Sequence, residues 1–370
     1  MEQKKRIITG GGTGGHIFPA IAIADAIKKA KPDAEILFVG AIGRMEMVRI
    51  PEAGYKIVGL PVAGFQRKLS FGNIIKNFDA LFKLPICMFK AHKIIKQFKP
   101  NIVIGVGGYA SGPVMKSAAN KDIPTLIQEQ NSFPGVTNKL LSKKATKICV
   151  AYPEMERFFQ KEKIIFTGNP IRRALLINVN KDEAYKEFGL QTDKKTILVL
   201  GGSLGAKSIN IGIKDKLNLL ENSDLQMIWQ TGHNYFDEMK HIVKTLKMKN
   251  IKVMSFIKRM DAAYSIADVV ISRAGAGTIS ELALLGKATI LVPSPNVAED
   301  HQTKNAMALV NKNAAILVKD NQTSEKLLQQ TIDLIYNENK INELNKNIVE
   351  FAKHDADNMI AEEVMKIINK

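Results

Sequence analysis

The chain has 370 residues, more than one hydrophobic core usually serves, so length alone predicts two domains. Hydrophobic residues make up 45% and charged residues 24%, which excludes a disordered, collagen-like or coiled-coil chain. The unusual property is charge: 53 Lys and Arg against 36 Asp and Glu leave a formal net charge of +17. Such an excess indicates an anionic partner, for example nucleic acid, a phosphate-rich substrate or an acidic membrane.

The positive charge lies mainly in the first half of the chain. Residues 1–164 carry 26 basic and 12 acidic side chains, and the 64–99 segment carries eight basic side chains against one acid, Asp79. Apolar side chains alternate with these lysines, a pattern typical of peripheral membrane binding. The alternative is an ordinary helix with a solvated lysine face. The predicted membrane face consists of Arg67, Lys68, Phe71, Ile75, Lys76, Phe78, Phe82, Lys83, Phe89 and Lys90.

Several kinds of protein are disfavoured by what the sequence lacks. Its two cysteines lie far apart, which indicates a reducing compartment, and no Cys/His spacing suits a metal. Neither a G-x-S-x-G elbow nor a nucleic-acid-binding module is present. No secretory signal and no apolar run near ~18 residues is found. We therefore expect no metal, cofactor or nucleic-acid partner, and a cytoplasmic chain that touches a membrane only at its surface.

Short apolar runs alternate with amphipathic stretches along nearly the whole chain, which predicts an α/β fold of parallel sheets covered by helices. The predicted strands are 6–9, 35–39, 56–60, 102–106, 125–128, 147–151, 196–200, 226–230, 252–256, 269–272, 289–292 and 315–318. Gly168 and the Asn169-Pro170 pair punctuate the chain between the two series. We place the domains at 1–166, joined by a C-terminal helix of about residues 354–370, and at 167–353.

Two glycine-rich turns follow strands at corresponding places in the two halves. Residues 10–15 read GGGTGG and residues 201–206 read GGSLGA. Such turns let backbone N–H groups and a helix N-terminus approach a phosphate, although a turn that serves only packing looks the same. No acidic residue ends the second strand, which disfavours a dinucleotide-binding dehydrogenase. Two Rossmann-like domains that face each other across a cleft would explain the duplication.

Polar residues after the strands of the first half supply candidate catalytic groups. His16 follows the first glycine turn, and an imidazole, which ordinarily titrates near ~6.5, suits a general base. A structural hydrogen-bonding role is the alternative for His16. Glu129 is the second candidate base, although a Glu in a loop is usually only solvated. Tyr109 and Ser111 belong to a turn on the same sheet edge and are expected to face the cleft.

In the second half, the segment after strand 269–272 opens a helix at the carboxyl edge of the sheet, where ligands bind. Glu281 is either a carboxylate that binds hydroxyl groups or the partner of Thr278 in a capping box.

The polar loop after strand 289–292 supplies further candidates. Asp300 is positioned to cap the helix that follows. Gln302 and Asn305 lie three residues apart, so that their amides either bind sugar hydroxyls or face solvent.

Taken together, these motifs resemble the MurG family, the bacterial N-acetylglucosaminyltransferases that convert lipid I to lipid II in peptidoglycan synthesis. The matching segments run in order from residue 7 to about 310. They are GGTGGH at 11–16, GGYASGP at 107–113, EQN at 129–131, GNPIR at 168–172, GGSLGA at 201–206, GAGTISE at 275–281, and HQ and NA at 301–302 and 305–306.

The resemblance implies the GT-B fold, with two Rossmann-like domains. The second would hold most of the UDP-sugar donor, and the first would face the acceptor and the membrane, with Tyr109 and Ser111 on the acceptor side. It also implies inverting, metal-independent transfer from UDP-N-acetylglucosamine to the 4-hydroxyl of lipid I at the cytoplasmic face of the cell membrane, beside cell-wall synthesis and division proteins. Ile257 would offer backbone groups to uracil, and Glu281 would bind the ribose. The full implied substrate site is Thr13, Gly14, Gly15, Asn131, Arg172, Ser203, Ile257, Ala276, Gly277, Thr278, Ile279, Ser280, Glu281 and Gln302.

Two other functions fit the same motifs. A GT-B transferase that acts on diacylglycerol would share the donor loops and the basic membrane face. A nonenzymatic module that binds a nucleotide or a phospholipid would need only the glycine turns and the positive charge.

Overall fold

The computed structural model describes residues 4–62, 71–171, 175, 179–202, 204–221 and 223–369, with the backbone alone for residues 71–81 and 298. The chain divides into two compact units, Met1–Ile171 with Lys353–Lys370, and Arg172–Ala352. The boundaries expected from the sequence, after residues 166 and 353, lie close to these. The acceptor and donor roles given to the two domains stay predictions.

The first unit contains a parallel sheet of seven strands in the order β3-β2-β1-β4-β5-β6-β7. Its strands are β1 (Lys5–Thr9), β2 (Glu35–Ala41), β3 (Lys56–Leu60), β4 (Ile102–Gly105), β5 (Thr125–Glu129), β6 (Lys147–Val150) and β7 (Ile164–Phe166). The helices between them are α1 (Gly14–Ala30), α2 (Glu46–Glu52), α3 (Phe71–Phe98), α4 (Ser111–Ala119) and α5 (Val136–Ser142).

The second unit repeats this plan with six parallel strands in the order β10-β9-β8-β11-β12-β13. Its strands are β8 (Lys195–Leu200), β9 (Leu225–Gln230), β10 (Ile251–Met254), β11 (Val269–Ser272), β12 (Thr289–Leu291) and β13 (Ile316–Leu317). Its helices are α6 (Lys181–Phe188), α7 (Lys207–Lys214), α8 (Phe236–Thr245), α9 (Met260–Ile266), α10 (Ala276–Leu284), α11 (His301–Val310), α12 (Leu328–Ile335) and α13 (Glu338–Val349).

The last helix, α14 (Ala356–Ile368), belongs to the first unit although it follows the second in sequence. Ile360 and Val364 of α14 share one hydrophobic cluster with Ile23 and Ile27 of α1. The break predicted near residue 354 is therefore the point at which the chain returns to its first unit.

Both faces of the first sheet are buried, because neighbouring residues of a strand point to opposite faces. Ile8 packs with Ile17 on one face, whereas Ile7 packs with Ala91 and Ile95 of α3 on the other. Strands buried on both faces read as continuous apolar runs, and this is the signal by which the sequence predicted them.

The predicted fold class, two α/β units with parallel sheets, is confirmed. All twelve predicted strands form, with ends that differ by at most two residues. The prediction missed β7, a three-residue edge strand that pairs with β6 alone. A strand this short has too few residues to produce a periodic signal.

The strand order of each sheet reverses beside its first strand, between β1 and β4 and between β8 and β11. At such a reversal the loops at the carboxyl ends diverge and leave a crevice for a ligand. The first glycine loop (residues 10–15) follows β1, and the second glycine loop (residues 201–206) follows β8. The fold therefore puts each glycine loop at the ligand-binding edge of its own sheet.

Candidate functional site

The first glycine loop packs closely against the turn that follows β4. A Cβ atom built at Gly108 would lie 2.4 Å from the carbonyl oxygen of Gly11, and the φ angle of Gly108 is +85°. Any side chain at residue 108 would therefore separate the two loops.

His16 is the third residue of α1, and Thr13 is the residue that precedes the helix. The Nδ1 atom of His16 lies 3.2 Å from Oγ1 of Thr13. A Cβ atom built at Gly107 would come within 2.9 Å of Nε2 of His16. The imidazole thus lies half-buried between the helix N-terminus and Gly107, with one nitrogen on the threonine hydroxyl. This geometry suits a base whose ring orientation is fixed.

Glu129 ends β5 and is 1% exposed, so the expectation of a solvated loop carboxylate is wrong. Its Oε1 accepts hydrogen bonds from the backbone N–H and side-chain amide of Asn131, at 3.0 and 3.1 Å. Its Oε2 accepts from the amide of Asn138 at 2.8 Å and from the N–H of Gly135 at 3.3 Å. Burial raises the pKa of the Glu129 carboxyl, and these hydrogen bonds oppose that shift. Glu129 therefore organises the loop that it begins.

Asn138 is a residue that the sequence analysis missed. It is 3% exposed, and its Oδ1 is a buried acceptor with no hydrogen-bond partner among the described residues. A Cβ atom built at Gly107 would lie 3.8 Å from Nδ2 of Asn138 and 2.9 Å from Nε2 of His16. The amide and the imidazole thus share one side of Gly107. Only the fold reveals this, because 122 positions separate Asn138 from His16.

Of the two residues predicted on the acceptor side, the structure contradicts one. Tyr109 is 54% exposed on the turn after β4. Ser111 is fully buried, and its hydroxyl proton is shared between the carbonyl oxygens of Gly107 at 2.7 Å and Thr9 at 3.1 Å. The buried Ser111 hydroxyl cannot contact an acceptor, because it connects the end of β1 to the turn after β4.

In the second unit, the second glycine loop turns sharply at the carboxyl end of β8. Gly202 and Gly205 have φ angles of +75° and +88°, and a Cβ atom at Gly205 would lie 2.3 Å from the carbonyl oxygen of Thr231. Ser203 and Arg172, both predicted to meet the diphosphate, lie outside the described residues.

The helix α10 begins at Ala276, and Gly275 precedes it without a side-chain cap. The capping-box interpretation of Thr278 and Glu281 is therefore wrong, because Thr278 lies inside the first turn. The N–H groups of Ala276, Gly277 and Thr278 precede the first intrahelical hydrogen bond, which Ile279 donates to the carbonyl of Gly275 at 2.9 Å. These three groups and the positive end of the helix dipole form an edge suited to an anion.

Three other residues at α10 have distinct environments. Glu281 is half-buried, and its Oε2 accepts a hydrogen bond from the hydroxyl of Tyr264 at 3.2 Å. The Ser280 hydroxyl donates to the carbonyl of Ala276 at 3.0 Å. Ile279 is 2% exposed, and its N–H is used within the helix. The expected contact of Ile279 with the nucleotide therefore does not involve its N–H, and it stays a prediction.

Ile257 is predicted to offer backbone groups to uracil, and the structure uses one of these groups within the protein. Its N–H donates to Oε1 of Gln230 at 2.9 Å, and its side chain is 1% exposed. The carbonyl is the backbone group left to accept a hydrogen bond from a base.

The loop before α11 also differs from its prediction. The carbonyl oxygen of the Gln302 amide accepts from the N–H of Ser294 at 2.8 Å. Asn305 is fully buried, so its amide does not reach a sugar. Asp300 precedes the helix, but its carboxylate accepts from the Thr303 hydroxyl at 2.7 Å and caps no backbone N–H.

Arg273 directly follows β11 and is a residue that the sequence analysis missed. Its guanidinium donates to Oδ1 of Asp320 at 2.5 Å and to the carbonyl oxygens of Val292 and Pro293 at 3.1 and 3.3 Å. It also donates to the Ser208 hydroxyl at 2.9 Å. Arg273 thus holds the loop after β12 in place. Among the described side chains, no group of three or more His, Cys, Asp or Glu could hold a metal ion.

Comparison with known proteins adds the family. Residues 7–150 match the glycosyltransferase family 28 N-terminal domain, and residues 196–366 match its C-terminal domain. A protein of Phocaeicola vulgatus, named UDP-N-acetylglucosamine--N-acetylmuramyl-(pentapeptide) pyrophosphoryl-undecaprenol N-acetylglucosamine transferase, is 57% identical and covers 100% of this chain and 98% of its own. A protein of the same name from Bacteroides fragilis is 57% identical over 98% of this chain and 95% of its own.

Among solved structures, Acinetobacter baumannii MurG matches with a TM-score of 0.76 and 29% identity, covering 98% of this chain and 99% of that one. The similarity therefore extends through both units.

Proposed function

The chain belongs to glycosyltransferase family 28, and from this premise we propose that it transfers N-acetylglucosamine from UDP-N-acetylglucosamine to the 4-hydroxyl of undecaprenyl-diphospho-N-acetylmuramoyl-pentapeptide. The reaction converts lipid I to lipid II in peptidoglycan synthesis. The observation that carries the proposal is the 57% identity, over all of this chain, to a protein named for that transfer. The two α/β units of GT-B type, each with a glycine loop at its strand reversal, support it.

In the proposed mechanism, His16 removes the proton of the acceptor hydroxyl. The oxygen forms a bond to the anomeric carbon while the bond from that carbon to UDP breaks on the opposite face, which inverts the configuration. For Nε2 to accept the proton, Nδ1 carries the ring proton and donates it to Thr13 Oγ1, 3.2 Å away. We prefer His16 to Glu129 because both oxygens of that carboxylate hold its own loop.

The departing UDP carries negative charge that the second unit is suited to stabilise. The first-turn N–H groups of α10 and the second glycine loop would bind the diphosphate, with Arg172 and Ser203 adding to them. Glu281 would accept hydrogen bonds from the ribose, in an orientation supported by Tyr264. Gln302, and in the first unit Asn131, would bind hydroxyl groups of the transferred sugar.

The direct test is to measure UDP release from UDP-N-acetylglucosamine with lipid I, with diacylglycerol, or with neither. Of these three conditions, we expect UDP release only in the presence of lipid I. Release with diacylglycerol alone would favour a transferase for another membrane lipid. Failure of both acceptors would leave only the nucleotide or phospholipid-binding module.

We also propose that α3 docks on the anionic cytoplasmic face of the cell membrane. Cys87, Ala91 and Ile95 form its buried face. On the remaining surface, Phe82 and Phe89 are 74% and 71% exposed. Large apolar side chains beside lysines fit a lipid interface better than the alternative of a solvated lysine face. No helix in the described part of the chain is long and apolar enough to cross a membrane.

Within this proposed membrane face, Lys83 is half-buried and Lys90 is exposed. Phe71, Ile75, Lys76 and Phe78 lie in the first turns of α3, where only the backbone is described. Arg67 and Lys68 lie outside the described residues.

Replacing Lys90 and the nearby Lys93 with glutamine should weaken binding to vesicles that contain phosphatidylglycerol. Each lysine near an anionic surface contributes about 1 kcal/mol, so the pair should lower the partition coefficient about 30-fold. The matched control is Lys29→Gln with Lys31→Gln, two exposed lysines at the end of α1. Vesicle co-sedimentation measures both variants. Equal losses in the two variants, or binding that ignores anionic lipid, would contradict the proposed docking face.

A further inference from the structure

Glu46 is a buried carboxylate that the proposed mechanism does not use. It opens α2 and is 1% exposed. Its Oε2 accepts a hydrogen bond from the N–H of Gly12 at 3.0 Å, and its Oε1 accepts from the N–H of Ala41 at 3.0 Å. One carboxylate therefore connects the first glycine loop to the end of β2.

Two glycines make room for this carboxylate. A Cβ atom at Gly11 would lie 2.2 Å from Oε1 of Glu46, and one at Gly40 would lie 2.6 Å from its Cγ. Contacts this short are impossible, so a side chain at either position would displace Glu46. The glycines on both sides of the carboxylate thus form a fitted pocket for it.

The hydrogen bond from Gly12 to Glu46 fixes the backbone immediately before α1, the helix that carries His16. Gly12 has a φ angle of +89°, and its N–H points into the unit toward Glu46. Thr13, which follows, precedes the first turn of α1 and contacts Nδ1 of His16. A rotation of the loop at Gly12 would therefore move both the threonine hydroxyl and the start of the helix that carries the imidazole.

The same bond argues that Gly12 does not serve as a phosphate donor. Its N–H is taken by a carboxylate, whose negative charge would oppose an incoming phosphate. In the second glycine loop the N–H groups of Gly201 and Gly205 donate instead to the neutral carbonyls of Gln230 and Gly202. A carboxylate therefore contacts the first glycine loop, whereas these two N–H groups of the second loop bond to uncharged carbonyl groups.

We propose that Glu46 is a positioning residue: its carboxylate holds the first glycine loop in the conformation that presents Thr13 and His16 to the acceptor. The inference rests on the proposed function, since His16 is its assigned base. Glu46 acts only through the loop, because its two oxygens bind backbone N–H groups.

The test compares Glu46→Gln with Glu52→Gln, an exposed glutamate on the same helix. The glutamine amide in the first variant has one acceptor oxygen for two N–H groups, so one bond is lost. We expect kcat with lipid I to fall about 10- to 100-fold and the KM for UDP-N-acetylglucosamine to stay unchanged. Hydrogen exchange of peptides covering residues 7–17, followed by mass spectrometry, should become faster. Glu52→Gln should change none of these.

A second variant tests the same contact without removing the carboxylate. Gly11→Ala drives a methyl group into Glu46 and should give the same lower kcat and faster exchange. A lower melting temperature with unchanged kcat in both variants would reduce Glu46 to a structural role and overturn the inference. If the wild-type protein releases no UDP with lipid I, the proposed function fails. Exchange that is unchanged in Glu46→Gln then rejects the loop-holding role independently.

Discussion

Replacing His16 with alanine should lower kcat with lipid I by about 10²–10⁴-fold while changing the KM for UDP-N-acetylglucosamine little. The change removes the group proposed to take the hydroxyl proton. Thr13, Gly107 and Asn138 around the imidazole remain in place. The groups of α10 and the second glycine loop that we propose to bind the donor belong to the other unit. Steady-state rates of UDP release, with each substrate varied in turn, measure both parameters.

His241→Ala is the matched control, since this histidine is exposed on α8 of the second unit. Added imidazole should restore part of the activity of His16→Ala, because a free base fits the space left by the ring. A kcat near the wild-type value would eliminate His16 as the base. Glu129 would then be the remaining candidate base, and the loop after β5 would have to move to expose its carboxylate.

Replacing Glu281 with alanine should raise the KM for UDP-N-acetylglucosamine about 10- to 100-fold. A hydrogen bond to a charged group contributes about 1.5–3 kcal/mol, and the proposed contacts to the ribose hydroxyls would be lost. The kcat should fall less, because the ribose is remote from the reacting carbon. Isothermal titration with UDP gives the loss of affinity without the acceptor.

The control for Glu281 is Tyr264→Phe, which removes the hydroxyl that donates to Oε2 but keeps the carboxylate. We expect a smaller loss of UDP affinity, since only the orientation of Glu281 is weakened. The melting temperature of Glu281→Ala tests the discarded alternative, in which Glu281 belongs to a capping box. A lost helix cap would cost about 1 kcal/mol of stability. We expect no such loss, because α10 begins at Ala276 without a side-chain cap. Unchanged UDP affinity in Glu281→Ala would remove its assignment to the ribose.

The sequence by itself determined most of the architecture. Central strands such as β1 and β8 are buried on both faces, so their residues are apolar in continuous runs that stand out along the chain. The glycine turns that follow these two strands lie beside the two strand reversals, as expected for a parallel sheet, which brings the carboxyl ends of its strands to one side. The edge strand β7 left no such pattern, since it has only three residues.

Local patterns failed where a polar group's partner comes from a distant segment. Ser111 and Ile257 stand in motifs expected to face ligands, yet Ser111 bonds to Thr9 and the N–H of Ile257 bonds to Gln230. Glu129 was a candidate base with a solvated carboxylate as the alternative, yet it is buried and accepts four hydrogen bonds from the loop after β5 and from α5. A sequence states which groups can form hydrogen bonds, but not which of them are satisfied inside the protein.

Tertiary structure alone decided how His16, the proposed base, is held. Gly107 leaves room for the His16 ring, Asn138 lies on the same side of that glycine, and Glu46 fixes Gly12 from beneath. These residues come from the loops and helices that follow β1, β2, β4 and β5, neighbouring strands whose carboxyl ends lie at one edge of the parallel sheet. Hydrophobic patterning is set by near neighbours along the chain, whereas hydrogen bonds in a site depend on distances between loops that only the packed sheet defines.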